Sequence, residues 1–201
     1  KYDDATVLDN VSLEIEKGKI YGLVGRNGSG KTVLMKCICG LIKPTSGEVK
    51  VAGKTVGKDV DIPEDIGVII ETPGFIPNYS GFKNLKLLAS VRNKISNEEI
   101  RKSMEIVGLD PKSRKHVGKY SLGMRQKLGI AQAIMEKPKI LILDEPMNGL
   151  DNESVAVVRK ILKEQAENGA TIILASHNRE DIDVLCDKVY TMDHGVIECE
   201  R

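Results

Sequence analysis

The chain has 201 residues, 41% hydrophobic and 3% aromatic, with 30 Lys+Arg against 29 Asp+Glu and a formal net charge of +1. That length buries one core, or one core carrying an inserted sub-domain. The balanced charge and the absence of Trp give no field for nucleic acid or an anionic membrane surface, and no base-stacking face. Cys37, Cys39, Cys186 and Cys199 show neither metal-ligand spacing nor a dense disulfide pattern, so a reduced, cytosolic protein is expected. No stretch approaches the ~20 apolar residues that span a bilayer, and the start, KYDDATVLDN, is not a signal peptide. Any membrane role is therefore expected to come through a partner.

Val11, Leu13 and Ile15 alternate with Ser12 and Glu14, which predicts a half-buried strand closed by a turn at Lys17–Gly18. Ile20 to Val24 (IYGLV) predicts a buried strand. It leads into GRNGSGKT, Gly25 to Thr32, which fits G-x-x-x-x-G-K-[ST] without a mismatch, and VLMKCICGL opens a helix after it. Strand, glycine-rich loop and helix together cradle a polyphosphate. Gly25, Gly28 and Gly30, with Asn27 and Ser29 between them, let successive N–H groups point inward. Lys31 is a compact cation able to reach the β- and γ-phosphates, and Thr32 offers a hydroxyl to Mg²⁺.

Pro44 and Gly47 are expected to end that helix, and Glu48–Val51 with Lys54–Val56 to form a hairpin around Ala52-Gly53. Ile66 to Ile70 is a further buried strand, and residues 71–81 (ETPGFIPNYSG) are loop-like. From Phe82 to Glu136 the pattern is helical, with Ser96 and Glu99 as a capping box and Gly108 as a stop. Ile140 to Leu143 (ILIL) has the apolar run of a central parallel strand. Asn152 is expected to cap a helix with Val155, Val158, Ile161 and Leu162 inward, ended by Asn168-Gly169. TIIL is another strand, a short helix falls near Glu180 to Cys186, and Val189–Met192 with Val196–Glu198 make a last hairpin. The expected fold is an α/β P-loop NTPase, mainly parallel, with an antiparallel β edge near the N-terminus and an inserted helical sub-domain. Residues 1–76 and 137–201 would form the nucleotide-binding core, and 77–136 the insertion.

Two further signals carry chemistry. ILILDEP places Asp144 and Glu145 at the C-terminal end of a buried strand, where open α/β sheets bind ligands. Asp144 can hold Mg²⁺ through water, and Glu145 can take a proton from an attacking water. His177 follows the strand TIIL in ASHN and can donate a hydrogen bond to a γ-phosphate. YSLGMRQ opens a helix with Ser121 as N-cap, and Gly123 leaves the backbone open to an anion. His116 and His194 have no such context.

With these residues assembled, the chain resembles the nucleotide-binding domain of ABC (ATP-binding cassette) transporters over nearly its whole length. The motifs that carry the likeness are GRNGSGKT, the loop at Glu71, YSLGM, ILILDEP, NGLD and ASHN, in that order. The resemblance implies ATP and Mg²⁺ as ligands, Walker A at Gly25–Thr32, the Walker B aspartate at Asp144, the catalytic glutamate at Glu145 and the switch histidine at His177. It implies a D-loop at Asn148–Asp151 and a head-to-tail homodimer on ATP binding, in which Ser121 and Gly123 touch the partner's γ-phosphate. It also implies adenine stacking on Tyr2, and a transmembrane permease as partner at the inner face of the cell membrane. Two departures stand out. Leu122 and Met124 replace a glycine and a polar residue of the usual LSGGQ signature. Glu71 replaces the usual glutamine, and is expected to serve as an oxygen ligand for Mg²⁺.

The stretches IIETPGFIPNYSGFKNL and YSLGMRQKLGIA are similar to the bacterial exporters linked to bacitracin and lantibiotic resistance. The family normally has a strand before Tyr2 and more helix after Arg201, so the chain is expected to be part of a longer one. Two alternatives stay open. A soluble ABC-type ATPase without a permease would usually carry a second cassette, a coiled-coil insert or a basic extension. A small-molecule kinase would need an acceptor pocket and an arginine-rich lid.

Overall fold

The computed structural model describes residues 6–200. A six-stranded sheet runs β4-β5-β6-β1-β7-β8. Its strands are β1 (Ile20–Val24), β4 (Ile66–Ile69), β5 (Ile140–Asp144), β6 (Thr171–Ala175), β7 (Lys188–Asp193) and β8 (Val196–Cys199). All pairings are parallel except β7 with β8, which are joined by a tight turn at His194-Gly195. β2 (Lys50–Val51) and β3 (Lys54–Thr55) form a separate antiparallel pair.

Alternation along the strands divides the interior in two, as the period of a strand requires. Leu141 and Leu143 of β5 and Ile172 and Leu174 of β6 face one core cluster. Ile142, Ile173 and Ala175 face the other. The first cluster is filled from α4 (Leu122–Ile134) and α5 (Asn152–Glu167), and the second from Leu34, Met35 and Ile38 of α1 (Lys31–Ile38). Both faces of the sheet are thus buried, which is why its central strands are apolar without interruption. α2 (Gly81–Arg92) packs on α3 (Asn97–Ile106), α3 packs on α4, and α6 (Arg179–Leu185) packs on α5. The capping box is formed: Ser96 accepts from the Glu99 N–H, and Glu99 accepts from the Ser96 N–H.

Four local expectations are corrected. Residues 11–16 alternate in burial as expected, but they join no ladder among the described residues. Val11, Leu13 and Ile15 instead lie on the second core cluster, and the Glu16 N–H donates to the Tyr21 hydroxyl at 2.8 Å. α1 stops at Ile38, before Leu41 and well before Pro44, because the Leu41 and Ile42 N–H groups both fold back onto the Lys36 carbonyl. The hairpin after it is only two residues deep on each side. The cap of α5 is Asp151, whose carboxylate accepts from the Ser154 N–H at 2.8 Å, and Asn152 is already inside the helix.

Candidate functional site

β1, β5 and β6 end on one side of the sheet, and the residues singled out in the sequence collect there. Gly25 leaves β1 with φ +154°, and a Cβ there would stand 2.2 Å from the Met192 carbonyl oxygen of β7, so only glycine fits. The loop then turns into α1 at Gly30. Lys31 is buried and curls back over the loop. Its Nζ donates to the carbonyls of Gly25 (2.7 Å) and Arg26 (3.0 Å) and reaches Ser29 Oγ at 3.5 Å. A cation held by neutral carbonyls can exchange them for phosphate oxygens, which bind it more strongly.

The Thr32 hydroxyl donates to Asp144 Oδ2 at 2.7 Å, joining α1 to the end of β5. Hydroxyl and carboxylate are the hard oxygen donors that suit Mg²⁺, which takes one or two protein ligands and completes its octahedron with phosphate and water. No cluster of three or more His, Cys, Asp or Glu that could hold a metal occurs among the described residues. Thr32 and Asp144 are the donors here that could hold a nucleotide-borne Mg²⁺.

Glu145 has φ +50°, a left-handed conformation unusual for a non-glycine residue. Its N–H donates to the Ala175 carbonyl at 2.9 Å, and its carbonyl accepts from Gln126 Nε2 at 3.1 Å. The backbone is thus tied to β6 on one side and α4 on the other. The side chain points to His177, whose Nδ1 lies 2.8 Å from Glu145 Oε2. A carboxylate beside an imidazole can accept a proton from water while the ring stays oriented.

An open cleft of about 490 Å³ is lined by Asn27, Gly28, Ser29, Gly30, Lys31 and Thr32, and also by Glu71, Asp144 and Glu145. Glu71 lines this cleft with its carboxylate turned to Lys36 Nζ of α1, at 2.6 Å. Ser121 caps α4 by accepting from the Met124 N–H, and Gly123 lies against the Gly149 carbonyl. Neither Ser121 nor Gly123 lines the cleft; the residues of α4 that do are Leu122, Arg125 and Gln126. Tyr2 lies outside the described residues. Burial pushes the Cys37 thiol of α1 up, and that of Cys39 just after it up to about 12, which makes Cys39 an inert packing group.

Three site contacts were not anticipated from the sequence. Gln126 is a buried amide in an otherwise apolar helix face, a pattern that could have flagged it. Lys36 facing Glu71, and Leu122 lying across Gly149, join residues far apart in the chain and carry no local signal.

The profile of the family described as ABC transporter matches residues 8–148. The chain is 48% identical over 198 residues to the uncharacterized ABC transporter ATP-binding protein YybJ of Bacillus subtilis, covering 98% of this chain and 91% of YybJ. It is 44% identical over 197 residues to the bacitracin transport ATP-binding protein BcrA of Enterococcus faecalis, covering 97% of this chain but 64% of BcrA. It is 37% identical over 200 residues to the lantibiotic transport ATP-binding protein SrtF of Streptococcus pyogenes, covering 100% of this chain and 86% of SrtF. Among solved structures, a dimeric post-hydrolysis state of the ATP-binding cassette MJ0796 bound to ADP and Pi superposes with a TM-score of 0.86. It is 22% identical, and the match covers 98% of this chain and 92% of that one.

Proposed function

Since the chain belongs to the ABC transporter family, we propose that it is an ATP-binding and ATP-hydrolysing subunit that powers export of a peptide antibiotic through a separate membrane permease. The observation that carries this reading is the Glu145–His177 pair, 2.8 Å apart at the ends of β5 and β6 and in one constellation with the phosphate loop. The names of BcrA and SrtF support the substrate class. No helix among the described residues is long and apolar enough to cross a membrane. The place we propose is the inner face of the cell membrane, against the permease.

In this reading the N–H groups of Gly25–Thr32 bind the phosphates, and Lys31 leaves its carbonyl partners to take the β- and γ-oxygens. Thr32 and Asp144 would hold Mg²⁺, which would supply positive charge to neutralise the phosphates. Glu145 accepts the proton as water attacks the γ-phosphorus. The bond to the bridging oxygen breaks, and ADP and phosphate leave. His177 keeps the Glu145 carboxylate in place and donates to the γ-phosphate. We assign Tyr2 to the adenine, and Ser121 and Gly123 to the nucleotide of a second copy in an ATP-bound homodimer. We assign residues 77–136 to the surface that meets the permease.

The test is the oligomeric state of Glu145→Gln beside the unaltered chain, in ATP and Mg²⁺, by size exclusion with light scattering, together with phosphate release. The amide cannot accept the proton, so ATP stays bound and two copies stay together. A dimer seen in the variant with ATP, and turnover seen in the unaltered chain alone, are the expected results. Unchanged phosphate release by the variant would overturn the role given to Glu145.

A further inference from the structure

The proposed chemistry makes no use of Asp181, although this carboxylate is only 1% exposed. Arg159 of α5 reaches it with two donors, Nε at 2.8 Å and Nη2 at 2.6 Å, both to Oδ1. The third donor, Nη1, takes Glu180 at 2.8 Å. The second Asp181 oxygen, Oδ2, accepts from Ser176 Oγ at 3.4 Å, and Ser176 is itself 2% exposed. Ser176 Oγ accepts in turn from the Asn178 N–H at 3.1 Å. Asn178 caps α6 by accepting from the Glu180 N–H at 3.0 Å. The backbone on both sides of His177 is therefore pinned. The imidazole itself is 71% exposed and has little packing to locate it beyond its contact with Glu145.

We infer that Arg159 is a positioning residue: through Asp181 and Ser176 it fixes the 176–178 turn and so holds the His177 ring on Glu145. A buried ion pair is rarely retained for stability alone, because an apolar pair of similar volume does as well. What an apolar pair cannot supply is the directional link from Asp181 Oδ2 to the Ser176 hydroxyl, and from there to the turn. Arg159 is 22 positions from Asp181 in sequence, on a helix whose buried residues are Ser154, Val158, Ile161 and Leu162. The inference rests on the ATP-hydrolysis reading given above.

The test is a double-mutant cycle in steady-state ATP turnover. Arg159→Met, His177→Ala and the double variant are compared with the unaltered chain, with Arg159→Lys and Ser176→Ala beside them. Positioning predicts a kcat about tenfold lower in Arg159→Met with KM for ATP within about twofold, and no further loss when Arg159→Met is added to His177→Ala. Arg159→Lys should recover part of the rate. Ser176→Ala should lower kcat several-fold while the Arg159–Asp181 ion pair stays intact. If Arg159→Met fails to fold, the cycle of Ser176→Ala with His177→Ala carries the same test. Equal losses in both backgrounds, or a fall in melting temperature with kcat unchanged, would overturn the inference alone. An unaltered chain with no ATP turnover would overturn the functional reading and the inference with it.

Discussion

Glu145 offers a direct measure of the strain stored at the site. Its φ of +50° puts a side-chain-bearing residue in the left-handed region, at a cost of roughly 1–2 kcal/mol. Glycine removes that cost but loses more backbone entropy on folding, about 0.5–1 kcal/mol relative to alanine. Glu145→Gly should therefore be more stable than Glu145→Ala by about 0.5–1 kcal/mol. For a chain of this size that is about 1–4 °C in melting temperature. Both variants lose the contact with His177, so the difference between them isolates the backbone. Urea unfolding in the absence of nucleotide, with equal m-values, reads it out. Both should also lose ATP turnover, so the more stable variant is inactive, as expected where function holds a residue in a strained form. An alanine variant at least as stable as the glycine variant would refute the strain argument, whatever happened to activity.

Gly67 of β4 lies under α4, where a Cβ would stand 2.0 Å from the Ala133 carbonyl oxygen and 2.8 Å from Leu141 Cδ2. Gly67→Ala should lower stability by about 3 kcal/mol or more, read from the urea midpoint. Glu16 accepts from Lys188 and Lys19, which hold its carboxyl at about 2 against an ordinary 4.5. Its stabilisation is complete above the ordinary value and lost as pH falls through about 2, so the gap in urea midpoint between the native chain and Glu16→Gln should close on acidification and vanish below that pH. Glu71→Ala should raise the Mg²⁺ needed for half-maximal turnover by about thirtyfold, the worth of one carboxylate facing a divalent ion at ~4 Å in a watery site. Unchanged turnover and Mg²⁺ dependence would remove Glu71 from the metal site. Leu122→Gly should cost about 1–2 kcal/mol of stability, combining a lost apolar contact with a glycine in the first helical turn, as measured by thermal unfolding.

The sequence marks strand ends well, because each is an abrupt change from apolar to polar chemistry. ILIL followed by Asp144 and Glu145, and TIIL followed by ASHN, locate two of the three strand ends at the site, and the glycine loop locates the third. Period-2 alternation is less complete information. Residues 11–16 alternate as a strand would, yet their apolar side chains face a core and pair with no neighbouring strand among the described residues. Alternation reports which side faces the core, and pairing depends on what lies beside the backbone. The cap of α5 shows a different limit. Asp151 and Asn152 are adjacent and equally competent caps by residue type, and only the position of the Ser154 N–H selects the first.

What the sequence hides is how α4 is fastened to the strand ends. Gln126 binds the Glu145 carbonyl 19 positions away, and Leu122 lies so close over Gly149 that a Cβ there would meet its side chain at 2.5 Å. In sequence terms Leu122 is a departure from a glycine-rich pattern and reads as a loss of backbone access. In the structure the leucine gains a surface of its own, because Gly149 has no side chain to oppose it. Leu122 and Gly149 thus make one contact. A side chain added at the start of α4 is accommodated by a glycine in the loop after β5, and the same helix grips the Glu145 backbone one turn further on. Movement of α4 and the geometry of the strained Glu145 are thereby joined through packing and a single hydrogen bond. A helix so tied cannot shift without disturbing the residue proposed to activate water.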